Sequence, residues 1–488
     1  MYFRIPKDLE MKPDELVLQP ELKQSITPEQ AWHYSVIPKS EKNGTLELLI
    51  SSTINNATIK EELEILLDKK VDLIEEDDAI IQRLLSKHYR KVSHQDLEKV
   101  QKVFNLKSSE FLKTLVSEAK DLGSSDIHVE VYEEKCRVRL RIDGQLIERM
   151  IIEKSDYPSL VNIIKIQANL DISEKRLPQD GRIFFHEGQM KFDIRVSSLP
   201  TLYGEKIVLR LLNNDAANID INQLGFEENE LETYLEGIKM PHGIVLISGP
   251  TGSGKTTTLY ATLKILNKEK SNILTVEDPV EYTLKGLNQV QVKESIGLTF
   301  ASALRTFLRQ DPDVIMLGEI RDGETAQMAI RAALTGHLVL STIHTNSAWE
   351  TVSRLVEMGI PPFLLANTLN TSVAQRLLRV LCPECKQEQN FDQKLLPRRF
   401  TTGVIPSKYF VPKGCDYCYY TGYRGRKAIY EIISIDKKLA EQIKENNLAV
   451  DEILKQKGVR SLSDNAYSLF VAGLTSLEEV YPILNNDF

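Results

Sequence analysis

Alternation of apolar and polar residues predicts strands in the first half of the chain. Thr45 to Ser51 alternates in this way. So does a run in which four apolar residues are separated by arginines: Cys136, Val138, Leu140 and Ile142. A period of two residues is typical of a strand that buries one face. Cys136 falls on the apolar side of its strand, which predicts a packed core residue rather than a reactive thiol.

Two Asp-Gly pairs are predicted to form hairpin turns in this region. Asp143-Gly144 follows the strand that ends at Ile142, and Asp180-Gly181 precedes another alternating segment at 192–196. Residues 107–212 are therefore expected to form a strand-rich module. Residues 1–90 are expected to form a small mixed α/β domain with short helices at 59–67 and 80–89. The charged stretch at 90–102 is expected to be a spacer or a solvated helix.

A different periodicity begins after residue 223. Apolar runs at 244–247, 273–276, 314–317 and 338–343 predict buried strands, and helical periodicity separates them. This alternation predicts a mostly parallel sheet with helices on both faces over residues 223–372. The active site of such a sheet is expected beyond the carboxyl ends of its strands. Residues 373–430 carry two Cys-x-x-Cys pairs, and residues 431–488 are expected to be helical.

Composition and charge restrict the classes of partner. The chain of 488 residues is 42% apolar, which is ample for several cores. Its 61 basic and 69 acidic residues give a net charge of −8, which disfavours nucleic acid as the main partner. No apolar run approaches the ~20 residues that span a bilayer, and no secretory signal is evident. We therefore expect membrane association only through a partner, and the five cysteines favour a reducing cytosol.

A phosphate-binding loop joins the first predicted strand of the sheet to a helix predicted at 257–266. Its residues are Gly249, Pro250, Thr251, Gly252, Ser253, Gly254, Lys255, Thr256 and Thr257. A glycine-rich turn points successive backbone N–H groups into one concavity, and the helix N-terminus adds partial positive charge. Lys255 can reach the β- and γ-phosphates, and the Thr256 hydroxyl can ligate Mg²⁺. The chain is therefore predicted to bind a nucleoside triphosphate.

Acidic residues follow two other strands of the predicted sheet. Glu277, Asp278 and Glu281 come after the run at 273–276, and Glu319 comes after the run at 314–317. Carboxylates beside a phosphate loop can orient water or Mg²⁺. Gly318 stands where P-loop enzymes usually carry an aspartate. We therefore expect Thr256 and waters to hold Mg²⁺, while either Glu319 or the earlier carboxylates activate water.

Two arginines and two histidines are further candidates for the site. Arg305 and Arg309 share one face of a predicted helix, where they could clamp phosphate or a carboxylate, or be solvated surface charge. His337 and His344 bracket a strand that spans roughly 23 Å when straight. His344, at the carboxyl end, is therefore the candidate γ-phosphate sensor. His337 is the second candidate, with a role in packing or at an interface.

The two Cys-x-x-Cys pairs predict a metal centre. Cys382, Cys385, Cys415 and Cys418 can supply four thiolates in a tetrahedron, which is the geometry of structural zinc. The separation between the pairs exceeds the usual template, and a pendant loop could absorb it. The alternative is two unrelated reduced pairs.

Four motifs occur in one order and spacing, at 249–256, 277–281, 317–322 and 335–345. Together they resemble the Walker A, aspartate, Walker B and histidine boxes of the type II secretion and type IV pilus assembly ATPases. The resemblance spans about residues 107–430 and extends upstream to segments 125–128, 176–182, 195–197 and 203–206. It implies an α/β fold in which a RecA-like P-loop ATPase domain follows a PAS-like module.

The resemblance also implies roles for individual residues. Arg195 and Arg210 match the family's nucleotide-facing arginines, which would neutralise charge on the γ-phosphate when the two modules close. Glu281 is implied as the residue that activates water, and Glu319 as the Walker B carboxylate. The implied cofactors are ATP, Mg²⁺ and a structural Zn²⁺. The implied assembly is a homohexameric ring.

The same resemblance implies a cytoplasmic location at the inner membrane. The expected partners are a polytopic inner-membrane platform protein and an adaptor bound by the N-terminal domain. The cysteine pairs favour assembly or secretion, because retraction motors of the family generally lack them. Type II secretion is the first hypothesis, because the opening motif with which pilus ATPases often bind a cyclic dinucleotide is missing.

Three alternatives remain open from the sequence. A type IV pilus assembly ATPase is the alternative within the family. A DNA-stimulated RecA-like ATPase belongs to another class, and the acidic balance of the chain counts against it. An inactive scaffold is the third, and the intact phosphate loop and carboxylates count against it.

Overall fold

A computed structural model of the chain divides it into two compact units. The first comprises residues 1–105, 382–387 and 411–423, and the second comprises 106–381, 388–410 and 424–488. The structure describes residues 109–187, 190–212 and 220–485, apart from 399, 403 and 448. Before residue 90 it describes 22, 25–26, 28–42, 45–52, 56–67, 69–78, 80–81, 84–85 and 89.

The N-terminal part of the first unit is a small α/β domain. Its elements are α1 (Pro28–Tyr34), β1 (Val36–Lys42), β2 (Thr45–Ser51), α2 (Asn56–Leu67) and β3 (Lys70–Glu76). The sheet order is β1-β2-β3, with β2 antiparallel to β1 and parallel to β3. The predicted strand at 45–51 and helix at 59–67 are confirmed. The predicted helix at 80–89 lies only partly within the described residues, and the charged stretch at 90–102 lies outside them.

The second unit begins with a strand-rich module. Its elements are α3 (Ser109–Asp121), β4 (Ser124–Val131), β5 (Cys136–Ile142), β6 (Gln145–Ile152), α4 (Tyr157–Gln167), β7 (Gln179–Glu187), β8 (Met190–Thr201) and β9 (Gly204–Leu212). The six strands form an antiparallel sheet in the order β6-β5-β4-β9-β8-β7. Cys136 is fully buried in β5, as its position on the apolar side of the strand predicts.

The structure confirms one of the two predicted hairpin turns and contradicts the other. Asp143 and Gly144, with φ of 48° and 86°, connect β5 to β6. Asp180 and Gly181 instead lie within β7 and pair with Ser197 and Val196. A Cβ atom on Gly181 would lie 2.4 Å from the carbonyl oxygen of Ala168. Position 181 requires glycine because a neighbouring chain segment passes close to the strand. Glycine within a strand often marks such a close approach, whereas glycine in a hairpin serves the turn.

The rest of the second unit is built on a seven-stranded sheet. Its helices are α5 (Glu228–Ile238), α6 (Lys255–Leu266), α7 (Phe300–Phe307), α8 (Gly323–Leu334), α9 (Glu350–Glu357), α10 (Pro362–Thr368), α11 (Lys437–Lys444), α12 (Asp451–Gln456), α13 (Leu462–Val471) and α14 (Leu477–Leu484). Its strands are β10 (Gly243–Ser248), β11 (Ile273–Glu277), β12 (Asn288–Gln291), β13 (Val314–Leu317), β14 (Leu338–Ile343), β15 (Leu369–Leu381), β16 (Gln387–Asn390), β17 (Lys408–Val411) and β18 (Tyr423–Ser434).

The strand order of this sheet is β12-β11-β13-β14-β10-β15-β18, and β16 pairs with β17 separately. The pairings from β12 to β15 are parallel. Ile244 and Leu246 of β10 belong to one core cluster, whereas Val245 and Ile247 belong to another. The sheet therefore buries both faces, which confirms the predicted parallel α/β fold.

Two strands cross domain boundaries that the sequence predicts. β15 continues through residue 372 to Leu381, and β18 continues through residue 430 to Ser434. Both strands belong to the seven-stranded sheet, so the segments on either side of each boundary share one core. Leu439, Phe470 and Leu484 of the C-terminal helices are buried in the same cluster as Ile244.

Among the described residues, no helix is both long enough and apolar enough to cross a bilayer.

Candidate nucleotide site and metal centre

The phosphate loop follows β10 and leads directly into α6. Three of its residues, Gly249, Gly252 and Gly254, have φ of 146°, 82° and 91°, which L side chains rarely adopt. A Cβ atom on Gly249 would also lie 2.5 Å from the carbonyl oxygen of Gln375. The glycines therefore let the loop close tightly over the N-terminus of α6, where backbone N–H groups and the helix dipole favour an anion.

Lys255 is buried at the start of α6. Its Nζ donates hydrogen bonds to the carbonyl oxygens of Gly249, at 2.7 Å, and Pro250, at 3.0 Å. Burial lowers the pKa of Lys255 to about 8; repulsion from Arg376 adds to this effect, and attraction by Glu319 opposes it. Within the part of the chain that the structure describes, the buried ammonium group has only neutral loop carbonyls as hydrogen-bond acceptors. A bound polyphosphate would supply the negative charge that compensates it.

Strand order brings the predicted carboxylates and His344 to one edge of the sheet. β11, β13 and β14 lie in succession beside β10, and their carboxyl ends carry Asp278, Glu319 and His344. His344 Nε2 lies 3.3 Å from the Glu319 carboxylate. Arg321 forms ion pairs with Glu319 and, at 3.5 Å, with Asp278. The segments that resemble the Walker B and histidine boxes therefore meet in a single cluster of ionisable side chains.

Glu277 has a different environment from its acidic neighbours. Its side chain is buried and accepts hydrogen bonds from Tyr260, from Thr275 at 2.6 Å and from Gln289 at 3.1 Å. The Tyr260 hydroxyl in turn accepts a hydrogen bond from the backbone N–H of Glu281, at 3.3 Å. Glu277 thus supports the acidic loop through Tyr260, and its role toward water or Mg²⁺ stays a prediction.

Arg195 connects the strand-rich module to the acidic loop. Its Nη1 lies 3.1 Å from the Glu281 carboxylate, and its Nη2 donates to the carbonyl oxygen of Val280. Arg210 faces Arg195 across β8 and β9, and its Nε donates to Asp126 at 2.9 Å. The hydrogen bond with Asp126 raises the pKa of Arg210, and the charge of Glu281 adds to this. Both predicted arginines therefore lie near Glu281.

The remaining candidates lie elsewhere. Arg305 pairs with Glu324 of α8, and Arg309 donates to the Arg305 carbonyl oxygen; both side chains are exposed. The surface-charge interpretation therefore fits them better than a phosphate clamp. His337 precedes the amino end of β14, and its Nδ1 lies 2.8 Å from the carbonyl oxygen of Ala332. The six residues of β14, ~20 Å of strand, separate it from His344, so His337 lies outside the site of its own subunit.

Three residues near the site were missed by the sequence analysis. Tyr260 supports the acidic loop, Gln375 accepts a hydrogen bond from Thr258 at 2.9 Å, and Arg376 approaches the phosphate loop. Gln375 and Arg376 belong to β15, beyond the predicted end of the ATPase domain at residue 372. Recognising that the apolar run continues through Val373-Ala374 would have extended the strand to them.

The four cysteines of the two pairs converge in the first unit. Their sulfur atoms lie within 4.8 Å of one another. Individual separations are 3.8 Å for Cys382–Cys415 and 3.7 Å for both Cys385–Cys418 and Cys415–Cys418. Four thiolates about 2.3 Å from a tetrahedral Zn²⁺ would be about 3.8 Å apart, whereas a disulfide requires about 2.05 Å. The donor set therefore fits zinc.

Backbone groups around this centre also suit thiolate ligands. The N–H groups of Cys415 and Gly422 donate to the sulfur of Cys418, each at 3.2 Å, and Gly414 N–H donates to that of Cys385 at 3.3 Å. Burial raises the pKa of Cys385 to about 12, so this thiol requires a cation to lose its proton. Four protein ligands leave no exchangeable position, which is typical of a structural site.

Comparison with known proteins places these features in a family. Residues 105–482 match the family described as type II/IV secretion system protein. The chain is 45% identical over 378 residues to the type II secretion system protein E of Pseudomonas aeruginosa, covering 77% of this chain and 75% of that protein. It is 40% identical over 506 residues to the type IV pilus assembly ATPase PilB of Myxococcus xanthus, covering 97% of this chain and 87% of PilB.

Two solved structures resemble the fold. The crystal structure of the pilus retraction motor PilT with bound ADP is 28% identical, with a TM-score of 0.53, over 76% of this chain and 96% of PilT. The ATPase DotB of Legionella pneumophila is 21% identical, with a TM-score of 0.59, over 77% of this chain and 96% of DotB. The DotB likeness concerns the fold alone.

Proposed function

This chain belongs to the type II/IV secretion system protein family, and we propose that its ATP hydrolysis powers type II protein secretion by assembling a pseudopilus. The observation that carries the proposal is the contact between Arg195 and Glu281, 3.1 Å apart. It joins the strand-rich module to the acidic loop of the sheet that bears the phosphate loop. Nucleotide chemistry at that edge of the sheet can therefore be converted into movement of one module against the other.

Each group in the site has a proposed role in hydrolysis. Lys255 and the N–H groups of the phosphate loop bind the phosphates. Thr256 would hold Mg²⁺, which would supply neutralisation of phosphate charge. Glu281 accepts a proton from the water whose oxygen bonds to the γ-phosphorus, as the bond from that phosphorus to the leaving ADP oxygen breaks. Glu319 would orient water where Mg²⁺ binds. His344, 3.3 Å from Glu319, reports the presence of the γ-phosphate. Arg195 and Arg210 neutralise charge that develops in the transition state.

The proposed assembly is a homohexamer on the cytoplasmic side of the inner membrane. In it, movement of the modules passes to a polytopic platform protein, and the N-terminal α/β domain binds an adaptor. The family membership and the similarity to secretion proteins support this arrangement. The cysteine centre, with Zn²⁺ bound, gives rigidity to the segments that carry it.

Type IV pilus assembly is the second candidate. The PilB of Myxococcus xanthus aligns with 97% of this chain, whereas the type II secretion protein of Pseudomonas aeruginosa aligns with 77%. The longer alignment favours a shared N-terminal organisation with that pilus ATPase. The proposed chemistry at the nucleotide site is the same for either pathway.

Replacement of Lys255 tests the proposed function. We expect Lys255→Ala to abolish both ATP hydrolysis by the purified protein and secretion by cells that carry the variant. Lys264→Ala, an exposed lysine on the same helix, is the matched control and should retain both. Normal secretion together with normal surface pili in the Lys255→Ala strain would contradict the motor role. Loss of surface pili with normal secretion would transfer the role to pilus assembly.

A further inference from the structure

Arg376 lies beside the first residue of the phosphate loop. β15 runs parallel to β10, and Ser248 at the end of β10 pairs with Ala374. Arg376 therefore comes just beyond the point where the loop begins. A Cβ atom on Gly249 would lie 3.0 Å from Nη1 of Arg376. The guanidinium group thus occupies space that a side chain at position 249 would need.

The guanidinium group of Arg376 connects the two strands that flank β10. Its Nη1 donates to the carbonyl oxygen of Gln375 in β15, at 3.0 Å. Its Nη2 donates to the carbonyl oxygen of Asn346, at 2.8 Å, in the segment that follows β14. Because β14 and β15 are the two neighbours of β10, this side chain crosses the carboxyl end of the strand that leads into the phosphate loop.

The segment held by Arg376 is the one that carries His344. Asn346 follows His344 by two residues, and its N–H donates to Glu350 at 2.7 Å. His344 contacts Glu319 at 3.3 Å. A displacement of Asn346 would therefore move the imidazole relative to the Walker B carboxylate. The positive charge of Arg376 also acts on the phosphate loop, because its repulsion contributes to the lowered pKa of Lys255.

We propose that Arg376 is a positioning residue for ATP hydrolysis, which fastens the segment after β14 to β15 and so keeps His344 against Glu319. Its effect should depend on the γ-phosphate, because His344 is the group that it places. Binding of ADP relies on the loop N–H groups and Lys255, which Arg376 does not hold by hydrogen bonds. The inference rests on the proposed ATP hydrolysis and is independent of the pathway that the ATPase serves.

A double-mutant cycle between Arg376 and His344 tests this inference. The dissociation constants of a non-hydrolysable ATP analogue and of ADP, each with Mg²⁺, are measured for Arg376→Gln, His344→Gln and the double variant. We expect Arg376→Gln to weaken binding of the analogue about tenfold, which corresponds to the loss of about one hydrogen bond to a charged group. Binding of ADP should weaken less than about twofold. The double variant should bind the analogue no more weakly than the weaker single variant.

Two further variants serve as controls for Arg376→Gln. Arg354→Gln removes an exposed arginine of α9 and should leave both affinities unchanged. Arg376→Lys keeps the charge and the packed stem but cannot reach both carbonyl oxygens, and it should show the same pattern with a smaller loss. It replaces Arg376→Gln if that variant does not fold.

Two outcomes would overturn the inference. If the losses of the single variants multiply in the double variant, the two residues act independently. If ADP binding weakens as much as analogue binding, Arg376 does not act through the γ-phosphate. Turnover of ATP by the wild-type protein is measured in parallel, and its absence would contradict the proposed function without altering the binding comparison.

Discussion

Arg195 of the strand-rich module lies 3.1 Å from the carboxylate of Glu281, in the acidic loop of the ATPase sheet. In this arrangement the arginine neutralises the carboxylate that we propose to accept a proton from water. Arg195 cannot face both Glu281 and a γ-phosphate in full, so its transfer to the phosphate would release Glu281. A single movement of the module would thereby assemble both halves of the proposed chemistry.

Replacement of Arg195 should therefore separate hydrolysis from binding. We expect Arg195→Gln to lower kcat for ATP about a hundredfold or more, because the transition state loses a cationic partner. Affinity for ADP should change little, since Lys255 and the loop are intact. Steady-state turnover and ADP titration measure the two effects. Arg182→Gln is the control: Arg182 also extends from the same module to the ATPase sheet, 3.4 Å from Gln291, and its loss should leave kcat near that of the wild type.

The lowered pKa of Lys255 should make nucleotide affinity fall at alkaline pH. The ammonium form binds phosphate, and the free protein loses this proton as the pH rises through about 8. Affinity for ADP should therefore decline about tenfold between pH 7 and pH 9, and change little from this group between pH 6 and pH 7. Fluorescence titration of ADP across this range measures the slope. Lys255→Arg, which stays charged, should lack the decline; a decline that persists in it would assign the titration to another group.

The cysteine centre should hold one zinc ion per chain. We expect Cys418→Ser to lose the metal, because the hydroxyl replaces a thiolate that accepts two backbone hydrogen bonds, from Cys415 and Gly422. Metal analysis of the purified protein measures the content. Cys136→Ser, which alters the buried cysteine outside the cluster, should retain one zinc ion. Equal zinc content in all three proteins would contradict the assignment.

Gly181 should be intolerant of a side chain although its backbone is extended. Its Cβ atom would lie 2.4 Å from the Ala168 carbonyl oxygen and 2.8 Å from the Leu170 side chain. We expect Gly181→Ala to lower the free energy of unfolding by about 1–3 kcal/mol, the usual result of overpacking. Urea denaturation measures the change. Gly318→Ala, whose Cβ would meet its neighbours at 3.4 Å or more, should cost less; equal losses would contradict the steric explanation.

Much of the fold could be predicted because its signals are periodic. The alternation at 136–142 and the apolar runs of the ATPase sheet each became the expected strand. The predicted turn at Asp180-Gly181 was wrong because the same dipeptide can form a turn or can allow another chain segment to pass close to a strand. The strand that crosses the predicted domain boundary at 372 pairs with β10, more than a hundred residues earlier in the chain, and no local pattern indicates that pairing.

The sequence by itself determined the local chemistry of this protein: a phosphate loop between a strand and a helix, carboxylates at strand ends, and two cysteine pairs. Such features depend on residues that are adjacent or regularly spaced. Only the tertiary structure decided that Arg195 holds Glu281, that Glu277 supports the acidic loop through Tyr260, and that Arg376 joins β15 to the segment of His344. These contacts link residues far apart in the chain, and their distances follow from sheet order and packing, which no local pattern encodes.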